Sequence, residues 1–289
     1  MPTNNRQIKL RDGRLLGYAE FGDPDGKPIL YFHGAHSSRL SGKVLAPIAT
    51  KLNARVIAVD RPGFGLSDFK SSRQILDWPD DVIELADALR LSRFAVLGLS
   101  SGGPYAAACA LRIYQRLTAV GLVSCELPHN MEAADHSIDR IIRLFNFLAR
   151  EAPIMMRLLL WLGHVGASIN LDRFMSQVAT IFSEPDRKMF ASPGAGQGFI
   201  DNYLESHRSG IRGAVWDMAL VSSRWGFSLQ DIPMDVYLWH GEVDTAYPLA
   251  IGQYISSAIP GCRVKFYPGE GHLSLSFNHM AEIISALVF

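Results

Sequence analysis

Apolar positions along this chain recur with two different periods, and the places where the period changes mark out its organisation. From Gln7 to Phe32 short apolar runs are separated by turn chemistry: Gln7 to Leu10, a tight Asp12-Gly13 turn, Leu15 to Phe21, a Gly22-Asp23-Pro24-Asp25-Gly26 loop, then Ile29 to Phe32. Runs bounded by Gly, Asp and Pro predict strands, here an antiparallel start. Alternation follows: a helical run near Leu40 to Leu52, strand Arg55 to Val59, helix Pro79 to Leu89, strand Phe94 to Leu97, helix Gly103 to Arg116 and strand Ala119 to Ser124. Strands alternating with helices predict a parallel sheet covered on both faces. The unbroken apolar run Val56-Ile57-Ala58-Val59 fits a strand buried on both sides.

From about Leu127 to Asp231 the alternation stops and the period becomes helical. Ile138, Ile141, Ile142, Phe145 and Leu148 fall on one face, against Arg140, Arg143, Asn146 and Arg150. A second helix is expected beyond Pro153 and another from Ser183, with Glu184-Pro185-Asp186 in its first turn, while Ser192-Pro193-Gly194-Ala195-Gly196 reads as a loop. The sheet pattern then resumes with Val236 to Trp239, a helix from Leu249 to Ile259, strand Arg263 to Tyr267 and a terminal helix from Ser274 to Leu287. Core elements on both sides of the helical stretch predict one α/β core, 1–126 with 233–289, carrying a cap inserted at 127–232.

Composition narrows the function classes. In 289 residues, 48% are hydrophobic and 19% charged, which fits a globular chain, and 28 basic residues balance 28 acidic ones with no clustered Lys/Arg face. Neither a nucleic-acid partner nor an anionic membrane surface is expected. Cys109, Cys125 and Cys262 lie at spacings that fit no zinc site or secreted disulfide scaffold, so buried thiols in a reducing compartment are expected. The start Met1-Pro2-Thr3-Asn4-Asn5-Arg6 lacks the apolar segment of a secretion signal. The longest apolar stretch, Ile154 to Ile169, contains Arg157 and His164 and is shorter than the roughly 20 residues that span a bilayer. A soluble cytoplasmic protein without a membrane span is the expectation.

The candidate chemistry begins at Gly98-Leu99-Ser100-Ser101-Gly102, between the apolar run Phe94 to Leu97 and an alanine-rich helix. Glycines two positions to either side of Ser100 suit a tight strand-to-helix turn that pushes the hydroxyl out above the sheet. Ser101 lacks that register, because Leu99 stands where its glycine belongs. A serine hydroxyl needs a base within reach and a carboxylate to orient that base. His272, after the strand ending at Tyr267, and Asp244, after the strand ending at Trp239, both lie at strand C-terminal ends, where loops of an open parallel sheet converge. Glu242 and Glu126 remain alternatives for the orienting acid. Two backbone N–H groups, of Ala35 and Ser101, are placed to hold a developing oxyanion, each such donor being worth roughly 3 to 4 kcal/mol.

His33-Gly34-Ala35-His36, Asp60-Arg61-Pro62-Gly63-Phe64-Gly65-Leu66-Ser67, the Ser100 turn, His240-Gly241-Glu242-Val243-Asp244 and Gly271-His272 occur in an order that resembles the α/β-hydrolase superfamily, in its capped serine branch. The resemblance covers nearly the whole chain. It implies a mostly parallel, doubly wound eight-stranded sheet, with Ser100 attacking, His272 relaying the proton, Asp244 orienting His272 and the amides of Ala35 and Ser101 holding the oxyanion. Serine at the nucleophile position argues against dehalogenases and epoxide hydrolases, which place an aspartate there.

Other residues have plainer readings. His33 and His36 lack a third ligand at metal spacing, so no metal and no cofactor are expected; His33 reads as structuring its loop and His36 as facing the pocket. Asp60-Arg61-Pro62-Gly63 reads as a loop held by a charged pair. In the cap, Phe145, Phe147, Met155, Met156, Trp161 and Phe174 are candidates to line an apolar acyl site. The functional expectation is a serine hydrolase acting on a small or medium apolar carboxylic ester. A serine-triad C–C hydrolase, lyase or acyltransferase, and a non-catalytic small-ligand receptor on the same fold, are the alternatives.

Overall fold

A computed structural model of the chain describes residues 5–126, 138–191 and 195–289. Eight strands form one sheet in the order β1-β2-β4-β3-β5-β6-β7-β8: β1 Arg6–Lys9, β2 Leu15–Gly22, β3 Lys27–Phe32, β4 Ala54–Val59, β5 Phe94–Leu99, β6 Leu117–Val123, β7 Val236–Gly241 and β8 Cys262–Tyr267. β2 runs antiparallel to β1 and β4, and every other pairing is parallel.

The antiparallel start is therefore shorter than the turn chemistry suggests. Rather than folding back on β2, β3 lies between β4 and β5, parallel to both. The intervening loop crosses the start of β4, where Asp23 N–H donates to the Ala54 carbonyl and Lys27 N–H to that of Asn53, both at 2.9 Å. Gly22, at φ +85°, allows this crossing.

Period-two alternation sends neighbouring strand residues into different cores. Leu30, Phe32, Ile57, Val59, Phe94 and Val96 pack on one face of the sheet. There they meet Trp78, Val82 and Leu85 of helix α2 (Trp78–Ala88), the alanines of α3 (Gly103–Arg112) and a helix at Leu249–Ala258. Ile29, Tyr31, Val56, Ala58, Ala95 and Leu97 pack on the other, against Ala49 of α1 (Ala46–Lys51) and Leu275, Ile283 and Ile284 of the terminal helix, Ser274–Val288. The helix expected over 103–116 stops at Arg112. Ile113 leaves helical geometry at φ −129°, and a 3-10 turn, Tyr114–Arg116, finishes the segment.

Between β6 and β7 the described residues are helical: α4 Arg140–Glu151, α5 Pro153–Ile169, α6 Leu171–Ala179, α7 Glu184–Phe190, α8 Ala195–Ser206 and α9 Arg212–Val221. Asp139 caps α4 through the Ile141 N–H, and Asn170 caps α6 through the Arg173 N–H. The start of this insertion, 127–137, lies outside the described residues, as do 1–4 and the 192–194 part of the expected loop, whose remaining positions 195–196 are helical.

Buried ion pairs fasten the insertion to the sheet. Arg61 Nη2 meets Asp217 Oδ2 at 2.6 Å, Arg73 Nη2 and the Tyr105 hydroxyl donate to Asp217 Oδ1 at 2.8 and 2.6 Å, and Arg39 bridges Asp60 and Glu205 at 2.9 and 2.7 Å. Asp60 and Arg61, the charged residues of the loop, take separate partners. Neighbours in sequence point different ways here, and each finds its counter-charge on another element.

Candidate active site

The last residue of β5 is followed by Ser100 at φ +54°, a left-handed conformation that costs a side-chain-bearing residue of order 1 to 3 kcal/mol. Its flanking glycines make the turn possible. A Cβ on Gly98 would run into the Gly102 carbonyl and stand 2.8 Å from Gly103 Cα, and one on Gly102 would meet the carbonyls of Phe32 and His33. Helix α3 leaves this turn with its axis pressed to the sheet, and the hydroxyl projects over the strand ends.

Three loops meet at that point. His272 Nε2 lies 3.0 Å from Ser100 Oγ, and His272 Nδ1 lies 2.8 Å from Asp244 Oδ2. Asp244 Oδ1 is occupied by the N–H groups of Ala246 and Tyr247, at 2.8 and 2.9 Å, which fixes the carboxylate plane. With the Nδ1 proton donated to the carboxylate, the Nε2 lone pair is left to accept from the serine. Burial alone would depress the imidazole's pKa, but the charge and hydrogen bond of Asp244, joined by the charges of Asp186 and Glu126, together outweigh it and the pKa is raised above its ordinary value. Glu242 is exposed. Glu126 is buried but accepts from Ser101 Oγ at 2.7 Å, and burial pushes its carboxyl up to about 7 despite that bond. Of the three acids, Asp244 is the one hydrogen-bonded to His272.

The loop carrying Ala35 runs beside the serine, a Cβ built on Gly34 standing 3.3 Å from Ser100 Cβ. His33 is fully buried, with Nδ1 at 2.8 Å from the Gly34 carbonyl and Nε2 accepting from the Arg61 N–H at 3.2 Å, so it structures the loop. Burial and the Arg61 charge hold it well below the ordinary imidazole range.

His36, at φ +50°, turns instead toward the insertion, its Nδ1 3.4 Å from His207 Nε2 and its ring beside Tyr203. Burial lowers its pKa to about 4. Among the described residues, no group of three or more His, Cys, Asp or Glu side chains is spaced to hold a metal ion.

The expected apolar lining divides. Phe145 packs with Phe64, Leu148, Met156 and Met218 beneath the insertion, and Phe174 lies 5.0 Å from the Tyr203 ring. Met155 and Trp161 are 55% and 51% exposed. Helix α5 buries Met156, Leu160 and Ala167, so each of these two stands one residue, about 100°, off the inward face. Phe147 is likewise half exposed.

Nothing local in the chain announces the insertion's contacts with His272. The Phe182 ring stacks over the imidazole with centroids 6.1 Å apart, and the Asp186 carboxylate accepts from three successive backbone N–H groups beginning at His272. Ser183-Glu184-Pro185-Asp186 carries the signature of a helix start, which masks a long-range role for its last residue.

Comparison with known proteins bears on the family and the fold. The sequence pattern of the Alpha/beta hydrolase family matches residues 29–286. A non-heme chloroperoxidase of Streptomyces lividans is 26% identical over 93% of each chain, and a 2-hydroxymuconate semialdehyde hydrolase of Pseudomonas putida is 25% identical over 86% of this chain and 81% of its own. An esterase from Rhodococcus sp. shares the fold at a TM-score of 0.67 and 20% identity, covering 99% of this chain and 98% of that one. With its sheet order, its inserted helices and a family match over most of its length, the chain belongs to the alpha/beta hydrolase family.

Proposed function

We propose that this hydrolase-family protein cleaves small or medium apolar carboxylic esters through an acyl-enzyme on Ser100. The observation that carries the reading is the hydrogen-bonded line from Ser100 Oγ through His272 to Asp244, at 3.0 and 2.8 Å. Ser100 Oγ attacks the ester carbonyl carbon as its proton passes to His272 Nε2. The carbonyl oxygen, now negative, is held by the N–H groups of Ser101 and of Ala35, a reading supported by the close approach of the Gly34 loop to Ser100. Collapse expels the alcohol, which takes the proton from His272. Water then gives a proton to His272, attacks the acyl carbon, and releases the acid with Ser100 restored. Asp244 holds the imidazole in the productive tautomer and balances the imidazolium.

Residues 1–126 and 233–289 form the catalytic core in this reading, and 127–232 a cap that excludes water and selects the acyl group. The substrate partner is a small apolar molecule. A cytoplasmic setting is supported by three unpaired cysteines, of which Cys109 and Cys125 are buried. No helix among the described residues is long and apolar enough to cross a membrane.

Similarity to a semialdehyde hydrolase favours a second reading, in which the same serine and histidine cleave a C–C bond next to a carbonyl. A panel of p-nitrophenyl esters of increasing chain length, combined with an organophosphonate that labels activated serines, separates the two. Turnover of the short esters with a single label at Ser100 is the expected result. Folded protein that neither labels nor turns over any ester would sink the mechanism, and labelling without ester turnover would favour the second reading.

A further inference from the structure

The segment linking α6 to α7 belongs to the insertion, yet it touches both loops that carry the base and its orienting acid. Asp186 is fully buried, and its Oδ2 accepts from the His272 N–H at 3.0 Å while Oδ1 accepts from those of Leu273 and Ser274, both at 2.8 Å. Ser183 Oγ donates to Asp186 Oδ2 at 2.9 Å and locks the carboxylate's orientation. Five residues before Asp186, the Ile181 carbonyl accepts from Thr245 Oγ1 at 3.0 Å, one position beyond Asp244. Phe182, between these two anchor points, lies over the imidazole itself. Gly271 permits the approach: a Cβ there would collide with Ser183 Oγ and both Asp186 oxygens.

We infer that Asp186 is a positioning residue for His272, so that the insertion sets the base against Ser100 and does not merely cover it. The inference rests on the serine-hydrolase reading. Three charge-assisted bonds to successive backbone N–H groups fix where the chain carrying the imidazole begins its helix. A shift of the base by about 1 Å is enough to cost on the order of 100-fold in rate.

A cap on the terminal helix would use the same bonds, so the two roles must be told apart by a property of His272. The charged and titratable groups facing it are Asp244 and Tyr247 from the loop after β7, His240 from β7, Glu126 from the end of β6 and Asp186 from the insertion. Burial opposes protonation of the imidazole most strongly of any single cause, and Asp244, Asp186 and Glu126 together outweigh it. The base is active when neutral, so its raised pKa places the acid limb of kcat/KM at higher pH. Removing the Asp186 charge moves that limb to lower pH.

The test is Asp186→Asn in the full chain, assayed on a short p-nitrophenyl ester beside the parent. Asparagine keeps one acceptor oxygen but turns an NH2 toward a backbone N–H. The expected result is a fall in kcat of about 10- to 100-fold, KM changed less than 3-fold, and an acid limb displaced to lower pH. Ser183→Ala, which removes only the lock on the carboxylate, is expected to lower kcat by a few-fold with the same KM. Unchanged kcat and pH profile in folded Asp186→Asn would overturn the inference, as would a rise in KM at constant kcat. If Asp186→Asn fails to fold, Ser183→Ala decides by the kcat criterion. Failure of the parent protein to label at Ser100 would strike the underlying reading instead, a result no Asp186 variant can mimic.

Discussion

Arg61 of the core and Asp217 of the insertion meet out of reach of solvent, Nη2 to Oδ2 at 2.6 Å, and Asp217 also neutralises Arg73 at 2.8 Å. Burial would raise this carboxyl's pKa, but the two guanidinium groups overcome it and hold the acid well below the usual carboxylate range. The arrangement places two buried cations on one buried anion, with Tyr105 completing the oxygen shell.

Asp217→Asn is therefore expected to destabilise the protein by about 3 to 5 kcal/mol, because it strands two arginines without a counter-charge. Urea unfolding at neutral pH measures this. Since the folded pKa is depressed, the stabilisation is complete above the unfolded carboxyl's pKa of about 4 and is lost as pH falls below that value toward the folded one. The difference between parent and variant consequently shrinks only in that acid range. A variant as stable as the parent at pH 7 would show that the insertion is held by packing alone.

Ser100 pays for its position with backbone strain, and function and stability pull apart there. Ser100→Gly relieves the φ of +54° and is expected to raise stability by about 1 kcal/mol while abolishing ester turnover. Ser100→Ala keeps the strain and loses turnover equally. Parallel denaturation and activity measurements on both variants check the pairing, and a glycine variant less stable than the alanine one would contradict it.

What was legible in the sequence follows from the range of the forces involved. The strands announced themselves because both faces of β3, β4 and β5 are buried, which demands continuous apolar runs such as Val56 to Val59. The Ser100 turn was legible because close backbone approach admits only glycine at 98 and 102. Long-range pairing was not. Nothing local says that β4 separates β2 from β3, that Arg61 reaches 156 residues onward to Asp217, or that Asp186 reaches 86 residues onward to His272. In the insertion, helical period identifies amphipathic segments but not which side faces inward, and Met155 and Trp161 lie half exposed on α5 beside its buried face.

The geometry of His272 sets the pH dependence. Its pKa lies above the ordinary imidazole value, so kcat/KM is expected to rise with pH along a limb centred above about 6.5. Asp244→Asn removes the charge and the tautomer control together. The expected loss is about 10,000-fold in kcat, with little change in unfolding free energy relative to that loss. A retained rate would mean that Glu126, a second candidate acid buried nearby, can take over the orienting role.

Glu126 itself gives the last expectation. Burial pushes its carboxyl up to about 7, against the bond from Ser101 Oγ, so the folded state prefers the protonated form. A raised carboxyl pKa favours the fold fully below the unfolded value of about 4.5, and that contribution is lost as pH rises through about 7. Gln is a neutral isostere that still accepts from Ser101 and never ionises. Glu126→Gln is therefore expected to match the parent in stability near pH 4 and to exceed it at pH 8. Urea unfolding at those two values reads the difference. An offset that does not change between them would show that the side chain stays in one charge state across the range, and the ionisation penalty would have to be abandoned.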